Sequence, residues 1–320
     1  SALRLCQLAS NITGQPNRKH ILTREKAYHG STYLSASITG KERDKTAMDV
    51  KRDGIHFLSA PCHFYHPEFA TEAEFCDFLV DELEQKILEL GPENIMCFIA
   101  EPILASGGVI VPPTDYNYRC WQMVKKHEIT YIADEVVTAF GRLGHWFSSE
   151  KVFGIVPDII IFAKGVTSGY IPMGGYAVSE SFLASFSGEN TEGCLYSNGY
   201  TWGGSPVACA AALASWDIIE KEKLLDRVLE IGPYFQEQLR SLLDIPLVGN
   251  VRGEGLMAAV EMTIEGHNEE DLLEKDYAIG EMVDQHCQTL GLLVRPFINI
   301  CIISPPLIIS REQVDELVSI

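Results

Sequence analysis

The stretch Asp158-Ile-Ile-Ile-Phe-Ala-Lys164 decides the fold of this chain, because a run of apolar residues ends there in a charged side chain. A run this short, with no polar face, is typical of a buried strand of a parallel sheet. The same pattern occurs upstream at Ile129–Asp134 and at Ile95–Glu101, and stretches with helical spacing separate the runs. Parallel strands connected by helices predict an α/β fold that binds ligands at the carboxyl ends of its strands.

Two domains are expected from the length of 320 residues and from a change of pattern near residue 220. Residues 1–220 predict a large α/β domain. Residues 221–320 predict a smaller C-terminal α+β domain, with short strands near Leu292–Val294 and Ile300–Ile303. We interpret Ser187–Gly193 as a surface loop and the acidic stretch Glu265–Glu274 as a solvated face.

The composition argues against several classes of protein. With 25 Lys and Arg against 44 Asp and Glu, the net charge of −19 argues against a nucleic-acid or anionic-membrane surface. No apolar run approaches the roughly 20 residues that a membrane-spanning helix needs, and residues 1–9 do not resemble a signal peptide. The nine cysteines form no Cys-x-x-Cys pattern, so we expect free thiols in a reducing, cytoplasmic compartment.

Lys164 and Asp134 are the candidate chemical groups, because each follows an apolar strand. A lysine desolvated there has a lowered pKa and can form a Schiff base, whereas a lysine that extends into solvent is only a surface group. Asp134 can bind a metal, act as a base, pair with a cationic ring nitrogen, cap a helix or form a surface salt bridge. Together the two fit pyridoxal phosphate, which needs an amine for its aldehyde and an acid for its pyridine nitrogen.

Two adjoining stretches closely resemble the signature of class III pyridoxal-phosphate aminotransferases: Ala133-Asp-Glu-Val-Val-Thr-Ala-Phe-Gly-Arg-Leu-Gly144 and Pro157-Asp-Ile-Ile-Ile-Phe-Ala-Lys-Gly165. Further stretches occur in the family's order and approximate spacing: Tyr28-His-Gly30, Glu101-Pro-Ile103 with Gly107-Gly108, Tyr200-Thr-Trp-Gly-Gly-Ser-Pro206 and Ser304-Pro-Pro306. The resemblance covers nearly the whole chain. It implies the fold-type I architecture, in which a large domain with a mostly parallel sheet of the seven-stranded type precedes a small α+β domain.

The same resemblance implies which residues carry the chemistry. Lys164 forms the aldimine with the cofactor and then moves a proton between two carbon atoms. Asp134 pairs with the pyridine nitrogen, and Val136 presses on one face of the ring.

The resemblance also implies how the rest of the cofactor is held. Tyr28 stacks on the other ring face and borders the substrate, while His29 and Gly30 lie beside the phosphate. Glu101 belongs to the polar network beneath the cofactor. Thr201 donates to the phosphate from a neighbouring subunit, which implies a homodimer or a dimer of dimers.

Arg295 is the candidate for substrate recognition. The ornithine and γ-aminobutyrate branch of the family has a Glu and an Arg at positions that correspond here to Ser106 and Ile302. The stretch Gly291-Leu-Leu-Val-Arg-Pro296 instead resembles the segment with the mobile Arg of ω-amino acid and amine:pyruvate transaminases. Arg295 is then expected to bind a substrate carboxylate, although it also suits a surface salt bridge. This branch implies transfer from a primary amine or ω-amino acid to pyruvate or a similar 2-oxo acid.

The same motifs are also compatible with functions other than transamination. Aminomutase, decarboxylase or racemase chemistry fits them, and so does a degenerate, non-catalytic protein of this fold. Family members carry a phosphate loop just ahead of the segment that residues 2–5 resemble, so we expect the family's N-terminal part to be missing here. A metal hydrolase is a remote alternative. The spacing of His56, Cys62, His63 and His66 matches no common zinc pattern, so we expect no metal.

Overall fold

The computed structural model describes residues 1–187, 191, 194–263 and 269–320, so the stretches Ser187–Gly193 and Glu265–Glu274 fall partly outside the described residues. The helices are α1 (Ala2–Ile12), α2 (Tyr33–Ile38), α3 (Glu72–Leu90), α4 (Tyr116–Lys126), α5 (Ser148–Lys151), α6 (Glu180–Ser185), α7 (Pro206–Lys221), α8 (Leu224–Arg240), α9 (Glu269–Thr289) and α10 (Arg311–Ser319). The strands are β1 (His20–Arg24), β2 (Ile55–Leu58), β3 (Ile95–Ala100), β4 (Thr130–Asp134), β5 (Ile159–Phe162), β6 (Gly175–Val178), β7 (Val248–Glu254), β8 (Met257–Met262), β9 (Arg295–Phe297) and β10 (Ile300–Ile303).

The chain divides into two compact units. The first unit comprises Ser1–Gly107, Pro112–Ala139 and Phe147–Asp217, and the second comprises Gly108–Val111, Phe140–Trp146 and Ile218–Ile320. The second unit thus includes two short stretches from the first half of the sequence. The division into domains 1–220 and 221–320 stays a prediction.

The first unit is built on a six-stranded sheet with the order β2-β1-β3-β4-β5-β6. All neighbouring pairs are parallel except β5 and β6, which run antiparallel. This confirms the mixed α/β fold with a mostly parallel sheet. The expected seventh strand is absent from the described residues, because their other apolar stretches form helices or belong to the second unit's sheet.

Helices cover both faces of this sheet, as the apolar character of its strands requires. Every residue of β3 is buried, and from Cys97 to Ala100 its side chains alternate between two cores. On one face Phe98 packs with the apolar stripe of α3, whose Leu83 is fully buried. On the other face Cys97 and Ile99 pack with residues of α1. Burial of each large side chain contributes about 1.5–3 kcal/mol, so β3 is the central support of the unit.

The second unit contains an antiparallel sheet with the order β7-β8-β10-β9. Strand β9 begins at Arg295, later than the predicted Leu292–Val294. It does so because β9 and β10 form a hairpin in which Phe297 pairs with Ile300 across a two-residue turn. The edge position of β9 also tolerates Pro296, which cannot donate a ladder hydrogen bond. Helices α8 and α10 contribute to the core of this unit.

Two global properties concern the whole described chain. All nine cysteines are free thiols. Across the residues that the structure describes, no helix has both the length and the apolar character needed to cross a membrane.

Candidate active site

Four candidate residues lie where neighbouring parallel strands end. Strands β1, β3, β4 and β5 are adjacent in the sheet and run in the same direction. Tyr28 follows β1, Glu101 follows β3, Asp134 ends β4, and Lys164 follows β5. Because the carboxyl ends of parallel strands meet at one edge, this edge is the natural ligand site of the unit.

Asp134 is held firmly at this edge by His29. Oδ2 of Asp134 lies 2.7 Å from Nδ1 of His29, and the two side chains are 5% and 1% exposed. The other carboxylate oxygen accepts a hydrogen bond from the backbone N–H of Val136 at 3.2 Å. The other ring nitrogen of His29 lies 3.3 Å from Oγ1 of Thr23. Both ends of the His29 ring are therefore fixed, and the Asp134 carboxylate is oriented rather than free to rotate.

Glu101 ties two backbone segments together beneath this pair. Its Oε1 accepts from the backbone N–H of Tyr28 at 2.8 Å, and its Oε2 accepts from that of Ala105 at 3.1 Å. The backbone carbonyl of Glu101 accepts a hydrogen bond from Arg24, which is fully buried. Glu101 thus holds Tyr28 in place through its backbone.

The environment of Glu101 changes its acidity. Burial raises the pKa of Glu101 to about 7, the charge of nearby His29 opposes this rise, and the negative charge of Asp134 adds to it. Glu101 therefore changes charge near neutral pH, whereas an ordinary glutamate is ionised throughout that range.

Lys164 has an unusual backbone conformation and an exposed side chain. Its φ is +40°, in the left-handed region, and it opens a short 3-10 turn directly after β5. A residue other than glycine in such a conformation costs about 1–3 kcal/mol, and such residues concentrate at functional sites. Lys164 is exposed where it follows β5, so the structure does not show a desolvated lysine at this edge of the sheet. Its candidacy depends on its position and backbone.

Tyr28 and Gly30 shape the loop after β1. The Tyr28 residue is half-buried, and its hydroxyl lies 2.8 Å from Oγ of Ser31. Gly30 has a φ of +117°, and a Cβ atom there would lie 3.2 Å from Cβ of Ser35. Glycine is required at this position because other residues rarely adopt this φ. The loop can therefore approach a ligand closely with its backbone.

The remaining predicted residues differ in their exposure. Val136 is half-buried, and Thr201 is exposed in the turn that precedes α7. Arg295 is exposed in the second unit, where it pairs directly opposite Ile302 across β9 and β10. Ser106, which matches the acidic gate of the γ-aminobutyrate branch, has a buried hydroxyl. The structure brings Tyr28, His29, Glu101 and Asp134 together as two hydrogen-bonded pairs, Tyr28 with Glu101 and His29 with Asp134, and the charges of the second pair act on Glu101.

Four supporting residues were not predicted from the sequence. Thr23 contacts the ring of His29, and the hydroxyl of Thr39 accepts a hydrogen bond from the His29 backbone N–H at 3.0 Å. Arg24 donates to the backbone carbonyl of Glu101. Glu135 is fully buried beside Asp134. A sequence signal existed for Arg24 and Thr23, since a charged and a polar residue end an otherwise apolar strand.

The histidines weighed for metal binding are engaged elsewhere. His66 stacks on Phe75 at a ring distance of 4.7 Å, and Nε2 of His63 lies 3.1 Å from the carbonyl of Phe69. In the described part of the chain, no three His, Cys, Asp or Glu side chains form a group that could hold a metal ion.

Comparisons with known proteins agree with one another. The family model described as "Aminotransferase class-III" matches residues 1–320. The chain is 38% identical over 312 residues to "Gamma aminobutyrate transaminase 1, mitochondrial" of Solanum lycopersicum, covering 97% of this chain and 60% of the relative. It is 39% identical over 308 residues to "Putrescine--pyruvate aminotransferase" of Pseudomonas aeruginosa, covering 96% and 66%. The chain thus spans less than two thirds of the length of these curated relatives.

The fold also matches solved structures of transaminases over nearly the whole chain. One is described as an (S)-enantioselective omega-transaminase from Thermomicrobium roseum. It superposes with a TM-score of 0.92 at 35% identity, over 99% of this chain and 70% of that one. Another, described as "Transaminase with L-ala", gives a TM-score of 0.93 at 37% identity, over 99% and 75%.

Proposed function

The chain belongs to the class III aminotransferases, whose members depend on pyridoxal phosphate, and on that premise we propose that the protein is a transaminase. It moves an amino group from a primary amine or ω-amino acid to pyruvate or a similar 2-oxo acid. The observation that carries this proposal is the placement of Asp134 and Lys164 at the ends of adjacent parallel strands, with Asp134 oriented by His29.

The chemistry of these residues fits pyridoxal phosphate. The Asp134 carboxylate is buried, and His29 and the Val136 N–H fix its orientation, as an acid against a pyridine nitrogen must be fixed. Lys164 is exposed, which suits an amine that must react with an aldehyde. When bound, the cofactor supplies an electron sink for the carbon atom that bears the amine.

The chain's own residues then divide the work. Lys164 would hold the cofactor and would then remove and return a proton at the reacting carbon. Tyr28 and Val136 would cover the two faces of the cofactor ring, and Glu101 fixes the backbone of Tyr28. Support for a phosphate near His29 comes from the loop at Gly30, whose backbone can approach a ligand closely.

The decisive test replaces Lys164. The variant Lys164→Ala should abolish amine-dependent consumption of pyruvate and the visible absorbance of bound cofactor, whereas Lys151→Ala, on an exposed lysine of the same unit, should change neither. Turnover retained in Lys164→Ala would refute the assignment. Cofactor binding in the parent protein without pyruvate consumption would instead favour other pyridoxal-phosphate chemistry or a non-catalytic role.

Arg295 is proposed to bind the substrate carboxylate. It is exposed on β9 directly opposite Ile302, the position at which the γ-aminobutyrate branch has its Arg, so the two positions are cross-strand neighbours. Arg295→Ala should raise the KM for an ω-amino acid by about 10–100-fold, the size of a lost bidentate ion pair. It should leave the KM for an amine without a carboxylate nearly unchanged, and Arg240→Ala should affect neither. Equal effects on both substrates would contradict the role.

We also propose that two copies of the chain associate, as a homodimer or within a dimer of dimers. The segment before α7 exposes Leu195, Tyr200 and Trp202 by 81%, 71% and 83%, which is unusual for large apolar side chains on a free surface. Thr201 lies within it and is proposed to reach the partner's cofactor phosphate. Light scattering should give twice the chain mass or more, and Trp202→Ala should shift the protein toward the monomer.

Two broader proposals concern the setting of the enzyme. The nine free thiols support a reducing, cytoplasmic location, which thiol trapping in fractionated cells would test. We propose that residues 1–220 and 221–320 are the two domains of the chain, and limited proteolysis should cut between them.

A further inference from the structure

Glu135 carries an unusually complete set of hydrogen bonds. The residue directly follows Asp134 and is fully buried. Its two carboxylate oxygens accept five hydrogen bonds. The donors are the backbone N–H of Ser148 at 2.7 Å, the Ser148 hydroxyl at 2.7 Å, the backbone N–H of Ser149 at 2.9 Å, the Ser149 hydroxyl, and the Thr138 hydroxyl at 3.0 Å. All five partners are donors, so the arrangement suits a side chain whose two oxygens both act as acceptors.

These hydrogen bonds close a loop. The chain leaves the first unit after Ala139 and re-enters it at Phe147. Glu135 binds Thr138 just before residues 140–146 and Ser148 just after them. Its carboxylate therefore connects the two ends of this segment. Its own backbone N–H donates to the carbonyl of Ile161 at 2.9 Å, which anchors it to β5.

Glu135 lies between two residues of the candidate site, so its hydrogen bonds affect both of them. Its neighbours on either side are Asp134 and Val136, and the Val136 N–H donates to the Asp134 carboxylate. A shift of the Glu135 backbone would therefore move both neighbours and alter the contact of Asp134 with His29. Movements of about 1 Å in such groups are enough to impair catalysis.

We propose that Glu135 is a positioning residue: its carboxylate fixes the turn after β4 so that Asp134 and Val136 are held for the cofactor. The identity of the cofactor in this inference rests on the proposed function. The effect of Glu135 on Asp134 does not depend on it. Glu135 acts through its neighbours and does not itself contact the ligand.

The test uses Glu135→Gln in the full chain, because the amide keeps the shape but turns one acceptor into a donor. Whichever oxygen the NH₂ group replaces, it faces at least two of the five donors. Glu150→Gln is the matched control, since Glu150 is exposed in the same short helix, α5. Ser148→Ala and Ser149→Ala each remove one hydroxyl donor, and they keep the proposal testable if Glu135→Gln does not fold.

Two measurements separate positioning from general stability. The first is the ¹⁵N chemical shift of the His29 ring in the cofactor-free chain, which reports on its bond to Asp134. The second is the dissociation constant of pyridoxal phosphate. Glu135→Gln should change the His29 shift and raise the dissociation constant by about tenfold or more, the size of one lost hydrogen bond to a charged group. The serine variants should show smaller effects of the same sign, and Glu150→Gln should show none.

The outcomes are distinguishable from failure of the proposed function. If the parent protein does not bind pyridoxal phosphate, the proposed function fails, and the His29 shift still decides the role of Glu135. If Glu135→Gln, or both serine variants, only lower the melting temperature and leave both measurements unchanged, Glu135 is merely structural and the inference is wrong.

Discussion

Replacing Glu101 with glutamine should remove a pH dependence from the stability of the protein. The raised pKa means that folding favours the protonated carboxyl. Between pH 4.5 and about 7 the folded state therefore binds more protons than the unfolded state. It follows that the free energy of unfolding falls as the pH rises through this window. The glutamine variant has no proton to lose at this position and should not show that fall.

The magnitude follows from the size of the shift. The difference between an ordinary value of 4.5 and one of about 7 corresponds to a loss of about 3 kcal/mol when Glu101 ionises. This is a large part of the 5–15 kcal/mol by which domains are typically stable. The two N–H groups that bind the carboxylate lessen this cost but do not cancel it, because burial is the larger effect.

Urea unfolding at several pH values between 4.5 and 9 would measure the effect. His29 and Asp134 remain in both proteins, so the comparison isolates the carboxyl group of Glu101. Glu25→Gln, on an exposed glutamate just after β1, is the control for the loss of a surface charge and should follow the parent curve. Curves for Glu101→Gln and the parent that stay parallel over the whole range would refute the reasoning.

Three further substitutions test the fold that supports the site. Leu83→Ala, at a fully buried position of α3, should lower the free energy of unfolding by about 2–5 kcal/mol in urea titration, because it leaves a cavity. Thr71→Ala should cost only about 1 kcal/mol in the same assay, since it removes the cap that accepts from the Glu74 N–H. Gly30→Ala should cost about 1–3 kcal/mol and weaken cofactor binding by equilibrium titration, because alanine is strained at a φ of +117°; an unchanged dissociation constant would argue against this loop as part of the site.

The sequence predicted the sheet, and the positions of Asp134 and Lys164 at its edge, for physical reasons. A strand buried on both faces must be apolar throughout, so β3, β4 and β5 are visible as short apolar runs. A charged residue directly after such a run must lie at the sheet edge. Asp134 and Lys164 are therefore placed correctly without knowledge of any contact.

The rest required three-dimensional information. Glu135 resembles a surface acid in the sequence, because nothing nearby shows that Ser148 and Ser149 return to bind it. The exposure of Lys164 depends on how far the sheet edge is covered, which strand patterns do not specify. The start of β9 depends on which residues of the hairpin pair with β10, and that register follows from the turn between Phe297 and Ile300.

The hairpin of β9 and β10 has a consequence for redesign. Because Arg295 and Ile302 are direct cross-strand partners, their side chains emerge side by side on the same face of the sheet. Placing Ile at 295 and Arg at 302 would move the positive charge from β9 to β10. The shift is about 5 Å, one strand spacing, and the composition of the hairpin stays the same. The hairpin thus offers two neighbouring positions for one cation, and comparing the two placements would measure how sensitive this surface is to a shift of its charge by one strand.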